Sequence, residues 1–342
     1  RVIAKFIDFW FDKDMSPATG GTVNMWKKGR RTDAYRAENR ILGENLSLIH
    51  HLLYTTAIWN RVVMKDEVPM PAADFEAALG QRDRYHLITF TQAPNAPRTD
   101  AYAAYDRKAL IVRDGHRVLT LPIVNGGRTL YAFNPYYPVP QSTFMLDATP
   151  DLAWPQLLPE LSVTEADNTV SLLKPLAYFK NVTGSEDAAA KRYTLQYHQD
   201  ELAKVTEPLN MMPPMADTRI VADTTYTFEP GKVTRADTYA AKSGTVALAS
   251  IKMQLGTYAQ GGTVSGNVVN FAASGDASKD AVKSIEVTGL GVPTIEAVAA
   301  DNAQFNTNNG PLRSVVTWTA PATTLEAGKP ISITWVLTYD PM

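Results

Sequence analysis

The 342-residue chain contains no cysteine, which excludes disulfides and thiolate-bound metals. It also lacks a dominant charge. Its 35 acidic and 33 basic residues leave a formal net charge of −2, so no nucleic-acid partner is expected, while local basic clusters remain able to bind single acidic groups. No run approaches the ~18 to 20 apolar residues that cross a bilayer as a helix, so no membrane partner is expected either. The sequence has no nucleophile elbow, P-loop or dinucleotide fingerprint, and its histidines lack the H-x-H or H-E-x-x-H spacing of a zinc site. Neither a cofactor nor a metal is therefore expected. No signal peptide is visible and the chain opens on Arg1 rather than Met, so a processed or truncated product with material missing upstream is the expectation.

What is present is strand patterning. From Lys108 to Val124 apolar residues fall largely on alternate positions, with Asp114-Gly115 between the two halves. Period two places successive side chains on opposite faces of a sheet, and Asp-Gly supplies the positive-φ turn that folds two strands back together. The pattern predicts an antiparallel hairpin whose buried face carries Val112, Leu119, Leu121 and Ile123. A second reversal is expected at Val124 to Arg128, with a strand resuming over Thr129 to Phe133. The polar face of this meander carries Tyr102, Tyr105, Arg107, Arg113 and His116, which suit a polar ligand.

Further strands are expected at 85–90, 192–197, 219–239 (an alternating hairpin turning at Glu229-Pro230-Gly231-Lys232), 245–255, 262–271, 283–291, 313–320 and 331–339. About a dozen strands with few helices argue for a large antiparallel β-sandwich over residues 76–342. Residues 1–75 read instead as a short α-helical segment. Ile3, Phe6, Ile7 and Trp10 have helical spacing, and Ile41, Leu42, Leu46, Ile49, Leu52, Leu53 and Ile58 form an apolar stripe after a start near Thr32 and Asp33. That stripe has too little partner surface within its own segment. It is expected to pack on the sandwich or on the missing upstream portion.

Three constellations bear on chemistry. The basic cluster Lys27, Lys28, Arg30 and Arg31, followed by Tyr35, Arg36 and Arg40, offers planar guanidinium forks for a carboxylate or sulfate. Nearby cations favour ionisation of a tyrosine, which suits Tyr35 to act as a general base. The bland alternative is a solvated helix start with surface charges. The five histidines are His50, His51, His86, His116 and His198. His86 and His198 each follow a tyrosine in a strand, and alternation places each such pair on opposite faces. Finally, NPYYPVP (134–140) and TPDLAWPQLLPE (149–160) are proline-rested aromatic loops. Tyr136 and Tyr137 in the first suit sugar rings, or else such loops plug the end of a sandwich.

The order of these features resembles the polysaccharide lyases that join an α/α-toroid to an antiparallel super-sandwich, the chondroitin AC/hyaluronate lyase and heparinase II/III groups. The resemblance rests on MWKKGRRTDAYRAENR (25–40), YAAYDRKALIVRDG (102–115) and NPYYPVP (134–140). It implies β-elimination on a uronate-containing acidic polysaccharide by a secreted or periplasmic protein. Arg30 and Arg31 match the arginine-bearing element at the end of the toroid, with Tyr35 the nearest base. His86, Tyr105, Arg107, His116, Tyr136 and Tyr137 are the substrate-binding candidates. Only the last toroid helices fit before residue 76, so the resemblance places the usual Asn-His-Tyr set upstream, on a helical fragment or second chain. The alternatives are a non-catalytic carbohydrate-binding or cell-surface module, and a glycoside hydrolase whose carboxylates come from separate strands.

Overall fold

A computed structural model of the chain describes residues 84–89, 104–106, 108–114, 117–123, 157–205, 215–257, 259, 261–272, 282–298 and 313–340, with short pieces at 71–74, 77, 306–307 and 310–311. The chain divides into two compact units, Arg1–Asp83 with Asn306–Gly310 and Arg84–Phe305 with Pro311–Met342. Nearly all the described residues belong to the second unit and are mainly β. The helical segment expected over 1–75, with its apolar stripe, lies outside the described residues apart from a helical piece at 72–74.

Three strands come first: β1 (Tyr85–Thr89), β2 (Lys108–Asp114) and β3 (Arg117–Ile123), forming one antiparallel sheet. The expected hairpin is present, and Val112, Leu119, Leu121 and Ile123 are all at most 2% exposed. Its turn differs from the expectation. Asp114 pairs with Arg117 as the last residue of β2, so the connection consists of Gly115 and His116. The reason is long-range: the buried Asp114 carboxylate accepts hydrogen bonds from Arg84, from Gly231 N–H at 2.7 Å and from Tyr339 Oη at 2.6 Å. The second reversal and the strand at 129–133 lie outside the described residues.

The rest builds two large sheets. In chain order the strands are β4 (Glu160–Thr164), β5 (Val170–Lys174), β6 (Lys180–Asp187), β7 (Arg192–Gln199), β8 (Leu202–Val205), β9 (Met215–Asp217), β10 (Ile220–Glu229) and β11 (Lys232–Ala241). Then follow β12 (Thr245–Thr257), β13 (Gly262–Ser265), β14 (Val268–Phe271), β15 (Val282–Thr288), β16 (Thr294–Ala297), β17 (Asn306–Thr307) and β18 (Gly310–Pro311). The last are β19 (Ser314–Ala320), β20 (Thr323–Glu326) and β21 (Ile331–Tyr339). One eight-stranded sheet runs β13-β14-β15-β21-β11-β10-β7-β6, and the other runs β16-β19-β12-β4-β5-β8-β9 with β20 paired to β12. Both hydrophobic clusters draw side chains from the two sheets. One joins Leu195, Phe228 and Trp335 to Met253, Leu255 and Trp318, while the other joins Ile220, Tyr239 and Ile333 to Leu161, Leu173 and Ile251. The sheets therefore pack face to face as an antiparallel sandwich, and the small sheet adds its buried face to the first cluster.

The hairpin β10–β11 shows why this sequence takes this form. Ile220, Ala222, Thr224, Tyr226 and Phe228 alternate inward, as do Val233, Arg235, Asp237 and Tyr239 on its partner. Glu229 pairs with Lys232 across Pro230-Gly231, and Gly231 takes a φ of 67° that proline before it cannot adopt and glycine can. Arg235 and Asp237 are an ion pair inside the core, 0% and 1% exposed. Arg235 Nε donates to both Asp237 oxygens at 3.0 and 2.8 Å, Nη1 donates to Tyr226 Oη at 2.7 Å, and Thr224 Oγ1 donates to Asp237 at 2.7 Å.

Removing one member of such a pair strands the other charge in the core. Asp237→Ala is expected to cost ~3–5 kcal/mol, whereas replacing both members by apolar residues of similar volume should be near neutral. Urea unfolding of the single and double variants measures this. A single-variant loss under ~1 kcal/mol, the scale of an ordinary hydrogen bond, would mean that the pair does not hold the sheet.

Candidate functional site

On the outer face of the sheet that runs from β13 to β6 the register aligns three ionisable residues. Lys180 pairs with His198, and His198 pairs with Asp223, so they stand in one row across β6, β7 and β10, with neighbouring strands about 4.8 Å apart. Alternation decides their direction. Tyr197 and Ala222, next to His198 and Asp223 in the chain, are buried, which turns His198 and Asp223 outward. β7 ends at the buried Gln199, and Asp200 and Glu201 lead into β8.

The backbone entering this row is unusual. Tyr178 and Asn181, on either side of Lys180, have φ of 68° and 55°, a left-handed conformation that is costly for a residue with a side chain, most of all for a bulky aromatic. The ladder between β6 and β7 shifts register between Lys180 and Thr183. Tyr105 and Asp106 brace the irregularity. Asp106 N–H donates to Phe179 O at 2.8 Å, and its carboxylate accepts from Val182 N–H at 2.8 Å. The Tyr105 ring meets Tyr178 edge-on, with centroids 5.3 Å apart. Bulges and left-handed residues concentrate where a side chain must be re-aimed, and here they aim Lys180.

The side chains form one connected network. His198 Nδ1 lies 2.7 Å from Asp223 Oδ1, and its Nε2 lies 3.1 Å from Asp200 Oδ1. Lys180 Nζ donates to Asp200 Oδ2 at 2.7 Å and lies 3.8 Å from Glu201. The same ammonium sits 5.2 Å from the centroid of the Tyr105 ring, close enough for a cation–π attraction. Burial opposes charge on His198, but its bonds to Asp223 and Asp200 outweigh that and raise its pKa. The Lys180 hydrogen bond, assisted by His198, pulls Asp200 down to about 2. Lys180 is raised, chiefly by Asp200. Burial, together with the negative charge of Glu201, pushes the Tyr105 phenol up. The network thus favours its protonated forms: it presents an ammonium and a neutral phenol beside a histidine whose charged form Asp223 and Asp200 stabilise, and so can neutralise an anion or donate protons.

Other ion clusters are consumed in holding strands together. Arg219 forks onto Glu165 at 2.7 and 2.9 Å while also binding Asp217, and Glu160 bridges Lys174 and Lys252 at 3.0 and 3.2 Å. Among the described residues no group of three His, Asp or Glu is placed to hold a metal ion.

Of the residues singled out from sequence, Tyr105 joins the network, and His86 is exposed on β1 opposite Ile111. Arg30, Arg31, Tyr35, Arg107, His116, Tyr136 and Tyr137 lie outside the described residues. Leu157 and Leu158, at the end of the second proline-rich loop, are buried, while Trp154 lies outside the described residues. The expected opposite-face placement holds for both pairs: Tyr85 and Tyr197 are buried, while His86 and His198 face away from the core. Sequence reasoning gave His198 no role and passed over Lys180, Asp200, Glu201 and Asp223. The only local signal was the polar outward position of Asp223 in the β10 alternation.

No family model matches the chain, and no curated protein matches it. Among solved structures it is similar to a heparinase III, at 10% identity and a TM-score of 0.35, over 85% of this chain and 42% of that one. A polysaccharide lyase matches at 11% identity and a TM-score of 0.35, over 75% of this chain and 33% of the lyase. A galactose mutarotase-like protein from Clostridium acetobutylicum matches at 8% identity and a TM-score of 0.34, over 76% of this chain and 99% of its own. The chain thus spans less than half of the heparinase and lyase structures.

The network sets an acid limit on stability. Asp200 has a folded pKa of about 2, below its ordinary value of 3.8. Its contribution is therefore present above the ordinary value and is lost as pH falls toward about 2. Melting temperature followed from pH 5 downward should decline less steeply in Asp200→Asn than in the parent protein. Parallel curves would move the acid sensitivity to another carboxylate, such as Glu165, which is also held at about 2.

Proposed function

We propose that this chain is the β-sandwich portion of a secreted or periplasmic polysaccharide lyase that cleaves an acidic, uronate-containing glycan by β-elimination. The observation that carries the reading is the juxtaposition of Lys180, His198 and Tyr105 on an outer sheet face. β-Elimination requires three services. A cation neutralises the uronate carboxylate so that the C5 proton becomes acidic, a base removes that proton, and a donor protonates the departing O4 oxygen. Lys180 suits the first service and the neutral Tyr105 phenol the third. Tyr35, flanked by Arg30, Arg31 and Arg36 in sequence, is the base of this proposal.

A second reading is favoured by a different observation. Around the network the outer face is lined with hydroxyls: Thr194, Thr227 and Thr234 are direct cross-strand neighbours, as are Gln196 and Thr225, and Thr338 and Ser284. Such a surface suits sugar hydroxyls without any chemistry, as in a carbohydrate-binding module.

The two readings separate in one assay. The complete protein is incubated with uronate polysaccharides, and the ultraviolet absorbance of the conjugated C4=C5 product is followed. Lys180→Met, Tyr105→Phe, Arg31→Ala and Tyr35→Phe are each expected to lower the rate ~10²-fold or more. Glycan retardation in affinity electrophoresis with no new absorbance would replace the lyase with the binding module.

A further inference from the structure

We infer that His198 and Asp223 form a proton-operated latch on the outer face of the sheet that contains β7 and β10, which opens when His198 becomes neutral and releases Asp223 to solvent. The inference rests on the proposed lyase only for what the open form accomplishes. Its geometry stands alone.

The number of donors on the ring decides the state of the latch. Each ring nitrogen of His198 faces a carboxylate oxygen, Nδ1 toward Asp223 at 2.7 Å and Nε2 toward Asp200 at 3.1 Å. An ionised carboxylate only accepts hydrogen bonds, so both contacts are satisfied only by a ring that carries a proton on each nitrogen. A neutral imidazole has one N–H. When the second proton leaves to solvent, one carboxylate faces a bare nitrogen lone pair, and acceptor meets acceptor.

The surroundings decide which carboxylate gives way. Asp200 is anchored by its other oxygen to Lys180 at 2.7 Å, and its side chain is 31% exposed. The Asp223 side chain is 68% exposed, and among the described residues its only side-chain partner is His198. The neutral ring therefore keeps its hydrogen on Nε2, toward Asp200, and Asp223 rotates away. The charged and titratable groups around the ring are Lys180 from β6, Asp223 from β10, Asp200 and Glu201 after β7, and Tyr105 ahead of β2. Lys180 and Tyr105 both titrate above their ordinary values, and Asp200 stays ionised down to about 2. Across the range where a histidine loses its proton these three do not change.

Opening changes what the site offers. Closed, the row Lys180–His198–Asp223 contains no free proton acceptor on nitrogen, and its two cations are matched by Asp200 and Asp223. Open, it gains a bare Nδ1 and, on the strand next to His198, the unpaired Asp223 carboxylate, so a face that only donated protons can accept one. In the lyase, whose base is Tyr35 and whose row serves to neutralise an anion, this makes rising pH an inactivating signal at this row.

Nitrogen-15 NMR of the histidine-labelled full chain tests the latch, with His198→Gln identifying the resonance. At high pH the neutral ring is expected to be the Nε2–H tautomer. Asp223→Asn should move the titration midpoint to lower pH while keeping that tautomer, and Asp200→Asn should switch the neutral ring to Nδ1–H. A parent protein whose neutral ring is Nδ1–H, or a midpoint that does not respond to Asp223→Asn, would overturn the inference. The pH profile of glycan cleavage is read alongside, and its falling limb should move to lower pH in Asp223→Asn. If the NMR behaves as expected and no glycan is cleaved at any pH, the latch stands and the lyase falls.

Discussion

Tyr226, Arg235 and Trp335 stand side by side across β10, β11 and β21 in the middle of their eight-stranded sheet, and Leu195 and Val287 extend the row at either end. All five are fully buried. Leu195 and Val287 need only apolar packing, but the guanidinium needs hydrogen-bond acceptors. It is tolerable in a core only where Asp237 and the Tyr226 hydroxyl reach it, and a one-residue slip of β11 would carry it to the opposite face. A buried ion pair contributes little net stability. What it provides here is a single acceptable register for the strands around it.

The outer row inherits its position from that register. His198 and Asp223 are one residue removed from buried neighbours on strands whose inner faces cannot slide, so their pairing is imposed by the core beneath them. Lys180 is the exception. Its strand is largely polar, with Val182 its only buried residue, and the inner face gives it little purchase. The chain positions it by other means: two left-handed residues, a shifted ladder, and Asp106 bonded on both sides of the irregularity. The lysine is thus held by backbone strain that neighbouring hydrogen bonds sustain, while its partners are held by packing.

This difference also explains what was legible in the sequence. The β2–β3 and β10–β11 hairpins could be read because their apolar alternation is local. The β2–β3 turn was misplaced by a residue because the reason for burying Asp114 lies in Gly231 and Tyr339, 117 and 225 positions away. β6 left no alternation to read. The row of Lys180, His198 and Asp223 required the register of three strands at once, and no single segment encodes that. Tyr105 was visible as a polar-face aromatic, but its bond to the site runs through Lys180, which sequence inspection had no reason to select.

The strand order of the sheet that runs from β13 to β6 carries a consequence for how the molecule is made. β21, the last strand described, is inserted between β15 and β11 and is the one link between the β13-β14-β15 meander and the strands that bear the outer row. Until residues 331–339 leave the ribosome, the nascent chain holds two half-sheets, each ending in an unpaired edge able to recruit the wrong strand. Pairing across such sequence separations is slow. The sandwich is therefore a structure that closes late, and the interval before closure is when it is most exposed to misassembly.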